Sequence, residues 1–173
     1  RRGQCCKGSA ARRKRILIKS MSGGIPDSGG MRMDWNYYDT FITVAADCPS
    51  ETGMKPLDKK NGKTKPGIEF ELLADNPYGY TQEELLYIVH IRHKNIPEEE
   101  LAERGDQIRD EFFMKPKPCL RASMLPKKYG WGIHFNAEGK IAIVPMESPE
   151  YRRFVEGAYG NVKLLAAMRN KKK

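Results

Sequence analysis

The sequence predicts an α+β domain: a small, mainly antiparallel sheet with helices packed on one side. Three observations predict it. A hairpin pattern occupies 130–144, a strand-like run lies far upstream at 40–45, and helix signals at 97–113 and 148–157 do not alternate with strands as βαβ units would. The 173 residues are 39% hydrophobic and 31% charged, as expected of one water-soluble globular domain with a real core. No apolar run approaches the ~20 residues that a membrane span needs.

The elements follow in order. Thr40-Phe41-Ile42-Thr43-Val44-Ala45 is β-branched and aromatic, hence a strand, and Asp47-Cys48-Pro49 ends it. Residues 50–66 are polar and carry Gly53, Pro56, Gly62 and Pro66, the composition of a long loop. Ile68-Glu69-Phe70-Glu71-Leu72-Leu73 fits strand or helix, and the spacing of Ile68, Leu72 and Leu73 decides for a short helix. Asn76-Pro77-Tyr78-Gly79 is a turn. Thr81 and Glu84 form a capping-box pattern, and β-rich Leu85 to Ile91 follows, so one helical turn feeding a buried strand is expected.

Asn95-Ile96-Pro97-Glu98-Glu99-Glu100 opens the clearest helix, with Asn95 as its cap and glutamates in the first turn, running to Phe113. Cys119 to Ser123 reads as extended. Gly130 to Phe135 and Lys140 to Val144 flank Asn136-Ala137-Glu138-Gly139 as a hairpin with a four-residue loop. Ser148 caps a helix with Pro149 at its first position, and Asn161 to Met168 reads as a last short helix.

The net charge of +9 suggests a nucleic-acid partner until its location is considered. Residues 1–30 hold eight basic residues and one acid, and residues 169–173 hold four more basic residues. That leaves 19 basic and 21 acidic side chains for 31–168, of the 31 and 22 in the chain. The expected organisation is a disordered basic leader over 1–30 that is not native to the domain, one globular domain over 31–168, and a basic tail over 169–173. Affinity for nucleic acid is then expected to be weak and confined to the tails. The leader has no apolar core long enough for a signal peptide.

Four cysteines are present; Cys5 and Cys6 are adjacent in the leader, and Cys48 and Cys119 read as two thiols in a reducing cytoplasm. His90 and His93 form an HxxH that would share a face on a helix but point apart on the expected strand. His134, Cys48 and Cys119 could complete a metal set, but no paired zinc spacing exists, so neither metal nor cofactor is expected. Cys119 lies two residues before Arg121, whose charge would favour a thiolate. The candidate ligand site is Arg121, Ser123, Lys127, Lys128, Tyr129, Trp131 and His134: cationic donors with amphipathic aromatics over fourteen residues. The competing account makes Trp131 a core anchor and the lysines solvated.

Three stretches carry a resemblance: NYYDTFITVAADCP at 36–49, FMKPKPCLRASMLPKKYGWGIHFNAEGKIAIVPMESPEY at 113–151, and KLLAAMRNKKK at 163–173. They resemble a bacterial family known as a domain of unknown function, over most of 33–173, whereas residues 1–32 have no counterpart. The resemblance implies a free-standing small cytoplasmic protein and no particular activity. The expectation is therefore a non-enzymatic binding module for a small anion or a protein, with its surface near 121–134 and no membrane partner. A small enzyme with a cationic pocket and a reactive Cys119 is the alternative.

Overall fold

A computed structural model of the chain describes residues 34–60 and 62–170. The expected leader lies outside the described residues. Strand β1 (Thr40–Thr43) is followed by helices α1 (Lys65–Asp75), α2 (Gln82–Lys94) and α3 (Glu98–Met114). A 3-10 turn (Leu120–Ala122) and the short α4 (Met124–Lys128) lead into the hairpin β2 (Trp131–Phe135) and β3 (Ile141–Pro145). Helix α5 (Pro149–Val155) and strand β4 (Lys163–Ala166) complete the described chain.

The fold is α+β. The sheet order is β3-β2-β1-β4. The β3–β2 and β2–β1 pairings are antiparallel and the β1–β4 pairing is parallel, so the sheet is mixed. One face carries Ile42, Ile133, Phe135 and Ile141, and it packs with Ile68, Leu72, Leu85 and Val89 from α1 and α2. The other face carries Phe41 and Val144 beneath Phe154 of α5. Most of the helical mass thus covers one side, as expected, and α5 adds a smaller layer on the second. The Phe41 and Phe154 rings stack with centroids 4.4 Å apart. Gly132 makes room for this layer: a Cβ there would lie 2.5 Å from Phe41 and 2.8 Å from Tyr151.

Several sequence expectations hold residue by residue. Ser148 caps α5 by accepting from the Tyr151 amide. Both halves of the Thr81–Glu84 capping box form. The hairpin pairs Trp131 to Phe135 with Pro145 to Ile141.

Four expectations change. Residues 85–91 do not leave the helix as a strand; α2 runs unbroken for 13 residues. Its buried positions, Gln82, Leu85, Ile88 and Val89, have helical spacing, and burial of that stripe outweighs local β propensity. Asn95 does not cap α3; it closes α2 in the left-handed conformation (φ 51°, ψ 44°), its amide donating to the carbonyls of Arg92 and Ile91. Cys119–Ser123 is not extended, because Leu120–Ala122 forms a 3-10 turn. Residues 161–168 are not helical. The free edge of β1 captures them as β4, with Lys163 donating to the Asp39 carbonyl at 2.7 Å and Ala167 to that of Thr43 at 3.0 Å. The start of the expected tail is also held: Asn170 binds Asp47 and the Lys127 carbonyl.

Candidate functional site

The seven candidate ligand residues occupy separate places. Alternation along β2 puts Trp131 on the α1 face and His134 on the α5 face. The Trp131 indole lies 5.3 Å from the Phe70 ring and donates to the Met54 carbonyl at 2.9 Å. His134 sits 4.5 Å from Phe154, and its Nδ1 is 2.8 Å from the Tyr78 hydroxyl. Ser123 caps α4 and donates to Glu69 at 2.6 Å. Burial pushes the Glu69 carboxyl upward, against that hydrogen bond and the charge of Lys65. Arg121 donates to the Ala166 carbonyl at 2.8 Å, which ties the 3-10 turn to β4. Lys127 and Lys128 end α4, Lys128 exposed. Of the seven, Tyr129 lines the cleft described below.

Cys48 and Cys119 are free thiols. Cys119 neighbours the Tyr37 hydroxyl; burial first, then this thiol, push the Tyr37 phenol up to about 12. The Arg121 charge also reaches Tyr37. His90 and His93 lie on a helix, not a strand. His90 packs 4.5 Å from the Phe112 ring, whereas His93 lines the cleft. Among the described residues, no three His, Cys, Asp or Glu side chains gather to hold a metal ion.

Burial holds the His134 imidazole below its ordinary value of 6.5, with Asp39 opposing weakly. A histidine whose folded pKa is depressed stabilises the fold above the unfolded value, and that contribution is lost as pH falls through the folded value. Thermal melts of the native chain and of His134→Gln should therefore diverge on acidification from pH about 7.5 to about 5.5. The native chain should lose more. Parallel curves would show that His134 protonation does not act on stability.

The cleft has a volume of about 650 Å³. Its walls are the loop around Leu57, Lys59, Gly62 and Lys63, the first turn of α1, the last turn of α2, and Tyr129. Lys59, Lys63, Lys65, Arg92 and His93 are its basic members. Lys63 is engaged by Glu71 at 2.5 Å, whereas Lys59, Lys65 and Arg92 make no ion pair among the described residues. Asp58 already lies against Gly67 in the first turn of α1. The pull on an anion therefore comes from the side chains more than from the helix dipole. Leu57, Ile68 and Tyr129 supply apolar wall.

The comparisons with known proteins are informative about kinship. The model of a family of unknown function, DUF6157, matches residues 32–173. The chain belongs to this family. The match spans the whole described DUF6157 domain, including the three stretches that carried the resemblance. No curated protein and no solved structure matches the chain. Among the described residues of this DUF6157 member, no helix is long and apolar enough to cross a membrane.

The basic residues of the cleft escaped the sequence reading. Lys59 and Lys63 sit in a loop whose length was the only signal, and Arg92 follows a stretch expected to be a strand. Only the continuation of α2 to Lys94 brings Arg92 and His93 beside the loop.

Proposed function

We propose that this DUF6157 protein is a binding module for a small anion, held in the cleft between the 57–65 loop, the end of α2 and Tyr129. The observation that carries the reading is the convergence of Lys59, Lys65 and Arg92, none of them in an ion pair among the described residues, on one cleft of about 650 Å³. That volume lies within the usual range for small-molecule sites, roughly 300–1,000 Å³. The guanidinium of Arg92 offers a planar fork to a phosphate or carboxylate, and the lysines add point charges. Tyr129, Ile68 and Leu57 would shield the charges on one side and accept an apolar part of the ligand. Of the surface expected at 121–134, Tyr129 belongs to this site; Trp131 and His134 face apart. The free thiols and the family resemblance support a cytoplasmic, bacterial setting.

Thermal shift with inorganic pyrophosphate tests the reading. A ligand at 100 times its dissociation constant stabilises by about 2.7 kcal/mol, an easily measured shift. Arg92→Ala should fold normally, because Arg92 is exposed, yet lose most of the shift. Lys163→Ala, on β4 and outside the cleft lining, should keep it. No shift from pyrophosphate, or an equal shift in both variants, would overturn the proposed site.

A further inference from the structure

The turn between α2 and α3 sets opposite charges side by side without pairing them. The last turn of α2 carries Arg92, His93 and Lys94, all exposed. The first two turns of α3 carry Glu98, Glu99, Glu100 and Glu103, of which, among the described residues, only Glu100 is in an ion pair, with Arg104 of the same helix. Asn95 turns the chain between them, and the Ile96 amide donates to the Ile91 carbonyl at 3.1 Å. Among the described residues, no ion pair joins the two patches.

The beginning of α3 is also weakly tied down. The helix is anchored through its later half. Tyr87 donates to the Gly105 carbonyl at 2.9 Å, Arg109 binds Glu83 at 2.8 Å, Phe113 faces Trp35, and Ile108 is its one buried residue. The backbone leaves helical geometry at Arg104 (φ −140°, ψ 29°), between the two halves. The acidic turns thus project beyond the anchored part.

A positive and a negative patch that adjoin one turn are self-complementary about a two-fold axis through that turn. Each patch then meets the opposite patch of the other copy, and the contact occurs twice. We propose that the α2–α3 turn is the interface of a symmetric dimer, in which Arg92 and Lys94 of each copy face Glu98, Glu99 and Glu103 of the other. The partly buried Ile96 and Leu101 lie within the same patch and supply apolar contact at its centre. Surface ion pairs contribute little each and are screened by salt, so the dimer is weak and salt-labile. Arg92 serves both readings, but the interface also rests on Lys94 and the α3 glutamates, which do not line the cleft.

Sedimentation of the full chain tests it. Dimer should form at low ionic strength and dissociate at about 1 M salt, where the screening length falls to about 3 Å. Two variants give the sharper result. In Glu98→Lys/Glu99→Lys both patches become basic, and in Arg92→Glu/Lys94→Glu both become acidic. Each variant alone should sediment as a monomer at low salt, and an equimolar mixture should recover the dimer. A native chain that is monomeric at low salt, or a dimer that persists at high salt and in both variants, would overturn the proposal. So would a mixture that stays monomeric. Loss of the pyrophosphate shift would leave these results unaffected.

Discussion

Replacing Trp131 with alanine is expected to destabilise the fold by about 3 kcal/mol, near the lower end for loss of a large aromatic from a packed setting. The indole lies half-buried at the margin of the main core, against Phe70 of α1. Its N–H holds the Met54 carbonyl, and its ring packs beside Gly53. Removing it opens a gap between β2 and α1 and frees the 50–56 segment, whose Met54 amide otherwise donates to Tyr129 at 2.8 Å. For a chain of this size the melting temperature should fall by roughly 6–12 °C. Trp131→Phe should recover most of the loss, because it keeps the ring contact and gives up only the indole bond. Urea melts of the three proteins check both statements. A loss below about 1 kcal/mol in the alanine variant would place the indole outside the packed structure.

The second large effect is expected at Gln82, a fully buried polar side chain in the first turn of α2. Its amide nitrogen donates to the Trp35 carbonyl, and its oxygen accepts from the Leu120 amide at 3.0 Å. One side chain thus joins the segment before β1 to the 3-10 turn after α3. Gln82→Ala leaves a buried amide and a carbonyl without partners and should cost about 2–5 kcal/mol. Gln82→Glu discriminates further. Its carboxylate still accepts from Leu120 but has nothing to donate to Trp35, so the variant should be destabilised at neutral pH and partly restored when protonated in acid. Equal stability of Gln82→Ala and the native chain would show that water substitutes for both bonds.

Much of the fold was legible locally. The capping box at Thr81, the cap at Ser148, the hairpin about Asn136 to Gly139 and the strand at Thr40 depend on neighbours a few residues away, so sequence spacing carries them. The errors share a cause. Leu85 to Ile91 has strand-like composition, and Lys163 to Ala166 is rich in helix formers, yet each adopts the opposite state. In the first, α1 buries the helical stripe of α2; in the second, β1 offers a row of unpaired backbone groups. Neither partner is adjacent in sequence.

The candidate site divides in the same way. Residue types alone determined that the body of the chain is nearly neutral and that cations and aromatics cluster at 121–134. Alternation along β2 then separated Trp131 from His134, a consequence of strand geometry once the strand is in place. That Lys59, Lys65 and Arg92 meet depended on where α2 ends and how a long loop returns to α1. Those positions follow from burial of α1 and α2 on the sheet, which acts between residues far apart in sequence. Elements with local signals can be read along the chain, whereas the charges that share a cleft are selected by tertiary packing.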